Sequence, residues 1–369
     1  GTWYPSTGMY NIVEGMYDLA VSLGVQFKFE HEVTAIEVEN KIAKRVCTRK
    51  GNFEADVIIG GADYHHIETA LLPAAAQSYS AAYWDSRVMA PSCLIYYIGL
   101  NKKLVGAQHH TLFFDTSFEV HGAEIYTTKT WPTDPLFYMS VVSVTDATSA
   151  PEGHENIFLL MPVATGLAGD TEEVREKYLD QMLTRIEKQL GQSVKDAIVY
   201  KRSFAQSDFI LDYHAFKGNA YGLANTLLQT AVLKPSCRSK KVKNLFYTGQ
   251  LTVPGPGVPP SLISGEVVAG QVVKHYSTNK NQQSKMSNTR YTLFTNALSK
   301  FLVDNLNATS IDHTIEMLRL EETVISGEKV TFVDVVPHCF RGNNFLFALH
   351  VPKSQIKQTS VHEIEHEFK

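Results

Sequence analysis

The stretch VPGPGVPPSLISG, Val253 to Gly265, places four prolines and two glycines in its first eight residues, directly ahead of an apolar run with helical spacing. Proline lacks an N–H and fixes φ, so Pro259 and Pro260 suit a first helical turn, where an amide has no partner within the helix. Leu262, Ile263, Val267, Val268, Val272 and Val273 then cover most of the circumference, with Glu266, Gly270 and Lys274 on a polar stripe and Ser261, Gly265 and Ala269 on a stripe of small residues. The pattern predicts a largely buried helix from Ser261 to about Tyr276. Its entrance, with free amides, a positive dipole end and a glycine-bearing loop, can receive anionic or acceptor atoms. The same composition also serves a plain tight turn.

Other residues of suitable type give less. His362, Glu363 and His366 in HEIEH have the spacing that, on a helix, sets two imidazoles and a carboxylate on one face for zinc. A catalytic zinc needs a third protein ligand, and only Glu367, Phe368 and Lys369 follow, so no metal is expected and a solvated, frayed end accounts for the motif. The pairs His65/His66 and His109/His110 are expected to be hydrogen-bonders in the core or at the surface, and no residue is singled out as catalytic. Cys47, Cys93, Cys237 and Cys339 are far apart, which favours neither a disulfide framework nor a zinc knuckle and fits a reducing, cytoplasmic setting.

The elements that must position such a helix entrance can be read along the chain. Its 369 residues, 44% of them apolar, suffice for two or three cores. A net charge of −4, from 34 basic and 38 acidic residues, offers no footprint for nucleic acid. Met9 to Leu23 repeats apolar residues at helical spacing and meets Gly24 where a left-handed cap belongs. VQFKF, EVTAIEV, IAKRVCT and FEADVIIGG read as strands, the last a buried one ending in Gly60-Gly61. From Asp63 to Lys241, strands in SCLIYYIGL, LFYMSVVSV, NIFLLMPV and AIVYKRSF alternate with helices such as EEVREKYLDQMLTRIEKQL, a mixed region inserted into a first domain. Its aromatics, among them Tyr96, Tyr97, Phe113, Phe114 and Phe137, suit either an ordinary core or a pocket for a long apolar ligand. VKNLFYTG is a strand with a glycine stop. STNKNQQSK, residues 277–285, reads as a linker, and residues 286–369 as a small α+β tail of two helices and two strands.

At NLFYTGQLTVPGPGVPPSLISGEVVAGQVV the sequence resembles the carboxy-terminal flavin motif of bacterial-type phytoene desaturases, FAD-dependent carotenoid dehydrogenases related to amine oxidases. YPSTGMYNIVEGMYDLAVSLGVQFKFEHEVTAIEV, ADVIIGGADYHHIETALLP, YWDSRVMAPSCLIYYIGLNK and FKGNAYGLANTLLQTAVLKPS resemble the same family in the same order, over about Gly1 to Tyr276. The resemblance implies a two-part, Rossmann-like, glutathione-reductase-type FAD-binding domain from residues 1–62 and 242–276, and a mixed-sheet substrate domain from 63–241. Relatives carry a G-x-G-x-x-G near their start and this sequence has none, so it reads as a desaturase without its first third.

Carried over by position, the resemblance implies that the backbone of Val33 meets the adenine of FAD. Gly249 and Gln250 then lie near the ribityl chain, and Gly257, Val258 and Pro259 face the pyrimidine end of the flavin ring. The implied reaction removes two hydrogens from adjacent carbons of a long-chain carotenoid at a membrane surface, with FAD taking a hydride. A non-catalytic isoprenoid-binding remnant, a carotenoid isomerase of the same family, and a metal-dependent hydrolase in the tail are the competing readings.

Overall fold

The computed structural model describes residues 4–279 and 346–348. Helix α1, Tyr10–Ser22, buries Met16 and Ala20 and ends at Leu23, after which Gly24 takes φ +87°. A meander follows: β1, Val33–Glu39, β2, Ile42–Thr48, and β3, Gly51–Glu54, pair antiparallel in that order. Val33, Ile36, Ala43 and Val46 form its buried face. VQFKF, which the sequence predicts to be a strand, is not one. Phe27 and Phe29 find ring partners instead, Tyr17 of α1 lying 4.5 Å from Phe27 between centroids.

The wholly buried β4, Ile58–Gly60, runs parallel to β10, Leu245–Tyr247, register Ile58 to Leu245. Its other edge pairs antiparallel with β11, Leu346–Ala348, in the predicted strand NFLFALHV of the tail. The rest of the tail, HEIEH and Cys339 included, lies outside the described residues. After β4 come α2, Tyr64–His66, a single wide turn at Ile67–Leu71, and α3, Ala81–Asp85. Tyr64, Ile67, Leu71, Tyr79, Trp84 and Met89 pack with Val33, Ile36, Ile58 and Tyr247 in one core. Gly60 packs closely there, since a Cβ on it would stand 2.6 Å from Cδ1 of Ile67, which would have to shift.

The second core belongs to a five-stranded antiparallel sheet, ordered β6-β7-β8-β5-β9. Its strands are β5, Ser92–Leu100, β6, His110–Phe113, β7, Phe137–Ser140, β8, Glu155–Val163, and β9, Ile198–Phe204. Alternate residues of β8 are buried: Glu155, Ile157, Leu159, Met161 and Val163. That is what a strand with one face in a core must show. Helices α4, Phe118–Tyr126, α5, Glu172–Leu190, and α6, Gln206–Tyr213, accompany it. Thr171 caps α5, Glu172 and Glu173 sit in its first turn, and Gly191 closes it at φ +63°. Tyr178, Leu179, Met182, Leu183 and Ile186 recur at helical spacing and fill the space against the sheet.

The sequence reading omits β6, α4 and α6, and extends β7 into a stretch that forms a short turn at Val142–Val144. The aromatics divide: Tyr96, Phe113 and Phe137 are core, whereas Phe114, Phe118 and Tyr126 are exposed. The architecture is mixed α/β, with seven helices among the described residues.

Candidate cofactor site

Strands β4 and β10 end side by side, the amide of Thr248 donating to the carbonyl of Gly60 at 3.0 Å. Ser264 of α7, Val258–Asn279, holds the turn that follows. Its hydroxyl lies 2.6 Å from Thr248 Oγ1, accepts from the Gly249 amide at 2.8 Å, and donates to the Ser261 carbonyl at 2.6 Å. Gly249 is left at φ +103° with no atom within 4 Å of where a Cβ would project, so a ligand can approach its backbone closely.

The loop then passes through Gly255 at φ +133° and Gly257 at φ +112° into α7. The helix begins at Val258, so Pro259 and Pro260 occupy its first turn. The prolines remove two amides there, and that of Ser261 is taken by the Gly257 carbonyl at 2.9 Å. The amides of Gly257 and Val258 are therefore the donors this entrance can offer. Helix α7 is less buried than its sequence suggests. Ser261, Ser264, Val268 and Val272 make a narrow buried line, Ile263 is exposed, and Leu262 and Val267 are half-buried.

Gln250 is tied down by Asn219, a neighbour that no sequence pattern points to. Asn219 accepts at Oδ1 from Gln250 Nε2 at 3.0 Å and from the Gly222 amide at 2.8 Å. Its Nδ2 donates to the Phe216 carbonyl at 2.8 Å and to Asp63 Oδ2 at 3.4 Å. Gly222 fits against this strand end because a Cβ would stand 2.7 Å from the Gln250 carbonyl oxygen. Asp63 also accepts from the amides of His66 and Phe216, both at 3.1 Å. Burial nonetheless outweighs these bonds and pushes its carboxyl up to about 6. Beside it, burial with His214 and His65 nearby lowers His66 to about 4. His66 stacks on His214 at 4.0 Å, and His65 on Phe216 at 3.9 Å. His109 and His110 stack on each other and bond Thr145 and Tyr138.

Gly249, Gln250, Gly257, Val258 and Pro259 thus lie on one loop and helix start. Val33 sits apart on β1, in the core that also takes Tyr247 and Leu251. Two further residues stand out, Lys234, which the sequence does not single out, and Ser261 of the small-residue stripe. Lys234 is 5% exposed, and its Nζ has no hydrogen-bond partner. Ser261, 9% exposed, also carries a hydroxyl without one. Lys234 reaches this loop, its Nζ lying 3.2 Å from where a Cβ on Gly255 would stand. A buried cation and hydroxyl left unmatched beside a glycine loop fit a polar, acceptor-bearing ring edge such as that of a flavin.

The family described as flavin containing amine oxidoreductase matches residues 1–273. The chain belongs to that family. The description of that family names a flavin and an oxidoreductase. A carotenoid 3,4-desaturase from Haloarcula japonica is 40% identical over 275 residues, which cover 74% of this chain and 55% of that protein. A 4,4'-diapophytoene desaturase from Staphylococcus aureus is 30% identical over 289 residues, 74% of this chain and 57% of the relative. A phytoene desaturase from Fusarium fujikuroi is 25% identical over 310 residues, 76% and 53%. The chain spans about half the length of these curated relatives. Among solved structures, an oxidoreductase from Methanosarcina mazei aligns at 14% identity and a TM-score of 0.48, covering 72% of this chain and 55% of that one.

Proposed function

We propose that the chain provides the flavin-ring end and the substrate region of an FAD-dependent carotenoid desaturase. The observation that carries the reading is the match to carotenoid desaturases over three quarters of the chain, joined to a stiff helix entrance whose buried polar atoms lack partners. In this reading residues 1–62 and 242–276 hold the cofactor and 63–241 the substrate. Val33 presents its backbone to the adenine, Gly249 and Gln250 border the ribityl chain, and Gly257, Val258 and Pro259 face the pyrimidine edge of the ring. Bound there, FAD supplies a hydride acceptor for a C–H bond of the polyene.

The residues of the chain do the positioning. The amides of Gly257 and Val258, at the positive end of α7, stabilise negative charge at the ring edge. Asn219 fixes the side chain of Gln250, and Ser264 fixes the turn at Gly249. No G-x-G-x-x-G occurs in the sequence, so this reading assigns none of these residues to a pyrophosphate turn. A hydrocarbon substrate dissolves in lipid, which makes peripheral contact with a membrane part of the proposal. No helix among the described residues is long and apolar enough to cross one.

The test is a visible spectrum of the purified chain after addition and removal of FAD, followed by incubation with a linear carotenoid in liposomes. Retained flavin bands and a red shift of the carotenoid absorption are expected. A chain that retains the carotenoid but no flavin is the non-catalytic isoprenoid-binding remnant, and the desaturase reading is then wrong for it.

A further inference from the structure

Buried polar groups in folded proteins are as a rule paired, and an ammonium withdrawn from water with nothing to meet it is the costliest exception. Lys234 is that exception here. Its residue is 5% exposed, its Nζ has no hydrogen-bond partner, and no carboxylate among the described residues forms an ion pair with it. Burial lowers its pKa, the ordinary response of a lysine with no counter-charge.

The ammonium lies against the glycine loop. Nζ and Cε lie 3.2 and 3.3 Å from the point where a Cβ on Gly255 would stand, and Asn225 Oδ1 lies 3.6 Å from that point. Gly255, at φ +133°, is three residues ahead of the start of α7, so any side chain there would be strained and would strike the lysine tip. Four residues beyond Gly257, the Ser261 hydroxyl is also buried and unpaired. A full positive charge, a hydroxyl and the positive end of a 22-residue helix therefore meet at one short loop, and all three favour an acceptor or anionic group.

We propose that Lys234 is a flavin-binding residue, its ammonium meeting the N1–C2=O2 edge of the ring beside the amides of Gly257 and Val258. The inference rests on the flavin reading above and adds to it a specific charge. The ring that has taken up two electrons and one proton carries its negative charge on that edge. Lys234 therefore holds the reduced ring more tightly than the oxidised one.

The variants Lys234→Met and Lys234→Arg, compared with the unaltered chain, test this by fluorescence titration with FAD and with lumiflavin, which has the ring but no phosphate. Met fills the same volume without the charge. Lys234→Met is expected to melt no lower than the parent, yet to bind both flavins about tenfold more weakly, the loss of a charge-assisted hydrogen bond. Arg should stay within about threefold. In dithionite titrations against a reference dye, an about tenfold loss of preference for the reduced ring lowers the potential by about 30 mV for two electrons.

If Lys234→Met weakens FAD but not lumiflavin, the cation meets phosphate rather than the ring, and the proposal is wrong. If it binds both as the parent does, at an unchanged potential, the proposal also fails, while the flavin reading stands. An unaltered chain that binds neither flavin removes that reading and this inference together.

Discussion

Arg175 and Lys234 are withdrawn from water to a similar degree, 8% and 5% exposed, and their surroundings differ in kind. Around Arg175, on α5, every direction is answered. Asp170 takes Nε and Nη2 at 2.7 and 2.9 Å, Asp208 takes Nη1 at 2.8 Å, and Ser203 and Ser207 complete the set at 3.1 and 2.8 Å. Around Lys234 no hydrogen-bond partner for Nζ stands among the described residues. The first region joins α5, β9 and α6 into a joint that is complete as folded. The second retains an unmet charge at a glycine loop, which is the mark of a place kept for something other than protein. A buried charge thus means structure in one place and ligand in the other, and only its partners distinguish the two.

The sharpest way to break that contrast is Arg175→Met. Removing the guanidinium strands Asp170 and Asp208, so a loss of about 3–5 kcal/mol is expected in urea unfolding. Lys234→Met should cost nothing by the same measurement. Equal losses would show that the two cations play the same part.

Next comes Gly60→Ala, which forces a methyl against Ile67 and should cost about 1–3 kcal/mol, seen as a lower Tm. It tests whether the second region is tightly packed everywhere except its entrance. At that entrance, Gly257→Ala places a side chain at φ +112° and 3.3 Å from Cδ of Pro260. A loss of about 1–2 kcal/mol is expected. In the flavin reading the variant also retains less FAD by absorbance.

Acidification separates two adjacent groups near Asn219. Asp63 holds its proton more tightly folded, to about 6 against 3.8, so its contribution is full below pH 4 and is lost as pH rises through 6. His66, lowered to about 4 from 6.5, contributes above 6.5 and loses that contribution as pH falls toward 4. The two slopes oppose each other. Melting curves from pH 4 to 7 should therefore steepen in acid for Asp63→Asn and reverse for His66→Gln. Unchanged profiles would contradict both assignments.

The smallest effect belongs to Ser261→Ala. Its hydroxyl has no partner, so stability should move by no more than about 0.5 kcal/mol. A clear loss in calorimetry would reveal a bond within the protein and weaken the case for an open entrance.

The five-stranded region was more legible than the loop region, for a physical reason. SCLIYYIGL, NIFLLMPV, AIVYKRSF and the long α5 carry their own period, and each forms the expected element. The alternation in VQFKF is equally good, but no strand among the described residues pairs with it, and a strand without a ladder does not form. For α7 the prolines mark the entrance, while its apolar residues suggest more burial than the fold provides, because apolar residues around a helix do not say how many sides are covered. Lys234 and Asn219 were invisible to pattern. A lysine before a proline and an asparagine in a loop look like surface residues until the fold shows what stands around them.

Asn219 uses its whole amide, accepting twice and donating twice, to bind Asp63, the 216–222 loop and Gln250 together. The segment after β4 and the segment after β10 are consequently tied through a single side chain. Gln250 cannot swing aside without giving up its bond to Asn219, so the turn after β10 and Asp63 after β4 share one tether.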